Sequence, residues 1–145
     1  MADAGPTIRK VPRAKTPDSF IQDTVEQSTR PDVLTVQFPG IGKILVTVPP
    51  TSELIFGRFE ANDTGPLCLN LIPFKGSEAG VSRRHAKIKH DQSGWWLEDM
   101  GSSNGTWVNG ERLLSLKPCR LQPNNQVMLA QLECYLILPL GNKLR

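Results

Sequence analysis

Three glycine-containing segments of this chain carry the side chains best suited to hold a compact anion: Gly57-Arg58, Gly80-Val81-Ser82-Arg83-Arg84-His85 and Gly101-Ser102-Ser103-Asn104-Gly105-Thr106. A guanidinium is a charged planar fork of donors, a hydroxyl adds one donor, and a carboxamide both donates and accepts. Arg58, Arg83, Ser82 and Asn104 brought together make an inventory that suits a dianionic phosphate ester attached to a peptide. Each segment falls between stretches that read as strands. Loops at one end of a β-sandwich converge in space, so residues far apart in the chain can share one site.

Each of these residues also has a plainer reading. An arginine at a strand end is often a solvated charge, and Ser82 and Asn104 can serve as local turn caps, a role compatible with ligand binding. On an extended chain Arg84 points away from Arg83, which favours the surface for it. His85 reads as a hydrogen-bonded structural histidine. Trp95, Trp96 and Trp107 fall in predicted strands, where aromatics favour core or half-buried packing over lining a ligand groove.

Other chemistries suit these residue types less well. Ser82, His85 and Asp99 name the members of a hydrolase triad, but Ser82 and His85 lie three apart at a loop-to-strand junction without a G-x-S-x-G elbow, which argues against catalysis. A phosphatase would need a Cys-x5-Arg loop or a cluster of metal-binding carboxylates, and neither is present in the sequence. The chain is therefore expected not to be an enzyme and to need no cofactor or metal. Nucleic-acid binding through Arg83, Arg84, Lys87 and Lys89 is the stronger alternative, since Arg83, Lys87 and Lys89 share a face on a strand. No aromatic stacking pattern interleaves them, so no nucleic-acid partner is expected.

The elements that must position these loops are short apolar runs punctuated by turn residues. Strands are predicted over 33–38, 43–48, 53–57, 67–71, 85–90, 95–98, 106–108, 112–114, 126–130 and 134–138, and no window of helical period stands out. Asn109-Gly110 is a type I′ hairpin signal between two strands. The rhythm predicts an all-β sandwich. Gly57 is expected to adopt a conformation closed to other residues so that Arg58 points inward.

Taken in order, Gly57-Arg58, Ser82-Arg83-Arg84-His85, Trp96-Leu97-Glu98-Asp99, Gly101-Ser102-Ser103-Asn104-Gly105-Thr106 and Val108-Asn109-Gly110 resemble the signature of the forkhead-associated (FHA) domain, over roughly residues 33–138. Single pieces are weak, because glycine and asparagine mark turns everywhere, but the ordered set is specific. The resemblance implies an antiparallel β-sandwich of about eleven strands that binds phosphothreonine peptides. It implies that Arg58 and Ser82 hold the phosphate with help from Arg83, and that Asn104 and Ser103 reach the peptide. Gly57 and His85 take supporting roles. The sequence departs from the family between Arg58 and Ser82, where Pro66 to Phe74 is largely apolar in place of acidic residues, and at Pro123-Asn124-Asn125, where a Gly-Asp turn is common.

At 145 residues the chain has room for about one domain. Residues 1–32 hold four prolines (Pro6, Pro12, Pro17, Pro31) and five charges of each sign, with no sustained apolar period, and predict a disordered tail preceding a domain over 33–145. The whole net charge of +3 falls on that domain, which suits one anionic group better than bulk attraction to nucleic acid. No apolar run approaches the roughly 18 residues of a membrane helix, and the first residues are charged, so a cytoplasmic protein without a membrane partner is expected. Cys68, Cys119 and Cys134 lack C-x-x-C spacing and read as buried small hydrophobes.

The expected partner is a phosphothreonine-bearing protein prepared by a Ser/Thr kinase, met in trans or as the chain's own tail. Thr16, Thr24 and Thr29 are the candidate phosphosites. At about 3.4 Å per extended residue they reach roughly 58, 31 and 14 Å from Val33. Only Thr16 clearly spans a domain about 35–40 Å across, so Thr24 is marginal and Thr29 is left to act in trans.

Overall fold

The computed structural model describes residues 30–59 and 67–140. Among them eleven strands form two stacked sheets. β1 (Val33–Phe38), β2 (Gly42–Thr47), β7 (Thr106–Val108), β8 (Glu111–Arg112), β10 (Asn124–Leu129) and β11 (Leu132–Ile137) make a six-stranded sheet in the order β2-β1-β11-β10-β7-β8. β3 (Glu53–Gly57), β4 (Leu67–Asn70), β5 (Ala86–Asp91), β6 (Gly94–Asp99) and β9 (Cys119–Arg120) make the other, in the order β4-β3-β5-β6-β9. All pairings are antiparallel except β3 with β4, which run parallel.

The alternation of side chains along each strand explains the packing. Leu34, Val36 and Phe38 on β1, Val127 and Leu129 on β10, and Cys134 and Leu136 on β11 face Leu54, Phe56, Ile88, Trp95 and Leu97 of the opposite sheet. Each such side chain contributes about 1.5–3 kcal/mol by leaving water. The Phe38 and Phe74 rings stack at 4.1 Å and seal one edge. Trp95 lies in this core, while Trp96 and Trp107 are half-buried with arginine guanidinium groups over them, Arg120 and Arg112 respectively.

Several expectations are corrected. β5 begins at Ala86, not at residue 85, and Arg83 and Arg84 sit in a bend where both are exposed; the alternation that was to separate them holds only on a strand. For the same reason Arg83 does not share a strand face with Lys87 and Lys89, and Lys87 is paired with Glu53 at 3.0 Å. Residues 113–114 lie outside any strand, and the two-residue β9 and a one-turn helix α1 (Gly76–Ala79) were not anticipated, being too short to show a period. Of the cysteines only Cys134 is buried; Cys68, on an edge strand, is exposed.

Thr16, Thr24 and Thr29 lie outside the described residues. Asp32, assigned to the tail by composition, already joins the fold. Its carbonyl accepts from Val48 N at 2.8 Å, and its carboxylate lies 3.6 Å from His90 Nε2 at the end of β5 away from the glycine-rich loops.

Candidate functional site

The three segments singled out by residue type meet at one end of the sandwich. Gly57 closes β3 where the chain of residues 82–84 crosses it. A Cβ there would stand 1.8 Å from the Arg83 carbonyl oxygen, so only glycine fits. Its φ is not positive, which corrects the expectation of a special conformation: close backbone approach imposes the glycine. The next residue exploits that approach. Arg58 N donates to the carbonyls of Ser82 and Arg83 at 3.3 and 3.1 Å, and its Nε donates to Val81 O at 2.5 Å. The side chain is thereby turned along the 81–83 loop, and its two terminal Nη groups donate to nothing among the described residues.

Ser82 couples two loops. Its Oγ accepts from Ser103 N at 3.1 Å, which leaves its own proton free for a further acceptor. Its backbone N–H donates to His85 Nδ1 at 3.0 Å, and the opposite ring nitrogen, Nε2, donates to Gly105 O at 2.8 Å. Those two bonds assign the neutral tautomer with the proton on Nε2. Burial lowers the His85 pKa from its ordinary value, outweighing the Gly105 carbonyl and the nearby Asp99 carboxylate, which both favour the proton. Asn104 is exposed and its Nδ2 donates to Gly80 O at 2.9 Å, clamping the 101–105 loop onto the end of α1.

The 101–105 loop is shaped by Asp99. Its Oδ2 accepts from Gly101 N, Ser102 N and Ser115 Oγ at 3.0, 3.1 and 2.8 Å, and its Oδ1 from Ser102 Oγ and Thr106 Oγ1 at 2.6 and 2.7 Å. Burial opposes ionisation of this carboxyl, yet the donors from Ser102, Thr106 and Ser115 together hold it below the usual carboxylate range. Sequence reasoning named Asp99 as a triad member and as the end of the Trp96-Leu97-Glu98-Asp99 signature segment, gave it no part in shaping the loop, and did not anticipate Ser115. An aspartate two residues before a glycine and three before a serine is an Asx-turn signal that was available.

The Ser82-His85-Asp99 triad does not form. His85 spends both nitrogens on backbone groups, Asp99 is saturated by the loop it organises, and Ser82 Oγ faces Ser103 N. Asn109 and Gly110 have φ of 52° and 89°, the two positive values a type I′ turn requires, and Asn109 Oδ1 accepts from Gln126 N at 2.9 Å. Arg83 and Ser103 are exposed at the rim beside Arg58 and Ser82, and neither side chain has a hydrogen-bond partner among the described residues.

The FHA domain family model matches residues 55–130, more than half of the chain, and the chain belongs to that family. Protein FraH of Nostoc sp. is 34% identical over 87 residues, which cover 59% of this chain and 29% of FraH. The chain spans less than a third of the length of the curated relatives it matches. Among solved structures, the FHA domain of a hypothetical protein of Arabidopsis thaliana superposes with a TM-score of 0.57 at 22% identity, covering 83% of this chain and 96% of that one. Mycobacterium tuberculosis EmbR in complex with a low affinity phosphopeptide superposes with a TM-score of 0.57 at 19% identity, over 86% of this chain and 30% of EmbR. No helix among the described residues is long and apolar enough to cross a membrane.

Proposed function

We propose that this chain is a phosphothreonine-peptide reader in kinase-dependent signalling, acting in the cytosol. The FHA family is known for binding phosphothreonine peptides, and one observation carries the reading to named residues here: Arg58 Nη, the Ser82 hydroxyl proton and Arg83 offer uncommitted donors at one rim. A phosphothreonine carries about −1.5 to −2 charges at neutral pH and three strong acceptor oxygens. In this reading Arg58 meets two of them as a fork, Ser82 donates to one, and Arg83 adds charge from the open side. Asn104 Oδ1 and the Ser103 hydroxyl, both at the edge of the same notch, take the flanking peptide main chain.

The ligand is a protein phosphorylated by an upstream Ser/Thr kinase. A phosphorylated tail is the intramolecular version of the same ligand. The chain enters β1 at the end opposite the notch, about 20 Å away along the six residues of β5, so Thr29, one residue before Arg30, is too close to its anchor to reach. Thr16 has the length to reach in cis, and the tail proposal rests on it.

The test is a calorimetric titration with one peptide in phosphothreonine, phosphoserine and unphosphorylated form. Saturable binding of the first, roughly tenfold weaker binding of the second for want of the buried γ-methyl, and none of the third is the expected result. Equal affinity for all three, release of inorganic phosphate, or a preference for oligonucleotides would overturn it. Phosphorylation at Thr16 is expected to raise the apparent Kd for an added phosphopeptide, and an unchanged Kd after kinase treatment removes the tail from the proposal.

A further inference from the structure

Two adjoining hollows lie beside the notch on the outside of the six-stranded sheet. The first, about 340 Å³, opens beside Asn104 and Gly80 and is bounded by Glu78, Gln131, Trp107 and Ala130. The second, about 250 Å³, shares Trp107 and Ala130 and continues to Met128, Gln126 and Gly110. Trp107 and Met128 are cross-strand neighbours on β7 and β10, and their neighbours Val108 and Val127 point into the core, so both side chains stand on the outer face. The Arg112 guanidinium lies 5.1 Å from the Trp107 ring centroid, which holds the indole in place. Ala130 has a φ of 58° at the β10–β11 turn and carries only a methyl there, so the floor between the two hollows stays open.

We propose that this trough seats an apolar side chain of the phosphopeptide itself, about five residues from the phosphothreonine, against Trp107 and Met128. The proposal rests on the phosphopeptide reading and extends it. Asn104, at the edge of the notch, also lines the first hollow. Asn104 lies in the loop before β7, whose three residues Thr106–Val108 rise about 10 Å, so the second hollow, which ends at the Gly110 turn, lies roughly 10–15 Å from Asn104. An extended peptide covers the upper end of that range in about five residues. Aromatic and thioether groups fixed on a sheet face suit an aliphatic or aromatic occupant, and the glutamate at the near end, Glu78, is exposed and stands outside the second hollow.

The experiment compares Kd values of phosphothreonine peptides carrying three residues on each side with peptides extended to six on one side or the other, bearing Leu or Ser at the fifth. The Leu extension on one side is expected to tighten binding about five- to tenfold over both the short peptide and its Ser counterpart. Met128→Glu is expected to erase that gain and Met128→Leu to keep it, with a thermal melt of each variant reporting the fold and the short peptide changing less than twofold. A gain absent from both extensions, or one that survives Met128→Glu, overturns the proposal. So does Met128-dependent self-association in sedimentation without any gain from the longer peptide, which would mark the face as a contact between two copies. Failure of the short peptide to bind sinks the phosphopeptide reading, and this inference with it.

Discussion

Strand β5 joins two ends of the molecule, each with a buried histidine beside it, and the two rings are held in opposite ways. At the loop end His85 engages two backbone groups from different loops, Ser82 N and Gly105 O, and stacks on no ring among the described residues. At the far end His90 lies flat on Trp95, with centroids 4.0 Å apart and planes 8° from parallel, and its Nε2 donates to Val48 O at 2.6 Å. The same division extends outward. The loop end is held by side chains bonded to loop backbone, through Asp99, Ser82, Asn104 and His85. The far end relies more on backbone turns, Thr51 N to His90 O and Ser52 N to Pro49 O, and on side-chain bonds within single turns, Ser93 N to Asp91 Oδ1 and Gln122 N to Asn125 Oδ1, both at 2.8 Å, over an apolar floor. Polar side-chain wiring is directional and gives exact positions to Arg58 and Ser103; an apolar floor supplies stability with looser positional demands. The notch is therefore the part of this fold that single substitutions can disarm.

The sharpest way to break that contrast is at Arg58. Arg58→Ala removes the guanidinium anchored by the Val81 carbonyl at the notch and is expected to weaken phosphopeptide binding by about 3 kcal/mol or more, over 100-fold, with the fold retained and the thermal melt lowered only by the loss of that one bond. Unaltered affinity in calorimetry would show that the anion sits elsewhere. Next, Asp99→Ala strips the acceptor from five donors and is expected to cost about 3 kcal/mol of folding stability by chemical denaturation as well as binding. His90→Ala, at the far end, should cost stability while leaving the Kd of the folded protein in place; a change in both at both sites would erase the distinction.

Gly57→Ala comes next. A methyl meeting the Arg83 carbonyl pushes the 82–84 segment off β3, so about 1–3 kcal/mol is expected in stability together with loss of the Arg58 alignment. The wiring also makes the loop end sensitive to acid. In the unfolded chain His85 takes a proton near its ordinary pKa of 6.5, whereas in the fold burial lowers that pKa. The unfolded state thus binds more protons just below pH 6.5, and stability that is full above this pH declines as the pH falls toward the folded value. Asp99, held below its ordinary 3.8, adds a second decline as the pH falls below about 4. An imidazole titration by NMR showing His85 protonated in the fold at or above pH 6.5 would contradict this. The smallest effect is at the far end, where Thr51 has a φ of 65°: Thr51→Gly is expected to gain about 0.5 kcal/mol with no change in binding.

Much of the architecture was legible because alternating apolar runs bounded by Gly, Pro and Asn leave few options besides a sandwich, and because Asn109-Gly110 demands two positive φ values. Elements of barely one period escaped: β9 has two residues and α1 four, too few to show a repeating pattern. In the site, Arg58, Ser82, Arg83 and Asn104 were legible as residue types that suit a phosphate. Their arrangement was not. Arg83 and Arg84 had been separated by a strand alternation that a bend abolishes, and Gly57 had been assigned a conformational role where the need is space.

Local chemistry thus determined which side chains this protein has available for an anion and the kind of layered fold that holds them, since hydrophobic period and turn preference act over a few neighbouring residues. Which of those side chains keep a free donor was decided only by tertiary structure. Ser115 reaches Asp99 across 16 positions, Arg58 reaches Val81 across 23 and Asn104 reaches Gly80 across 24. Such bonds depend on strand register and sheet stacking, which no local pattern records.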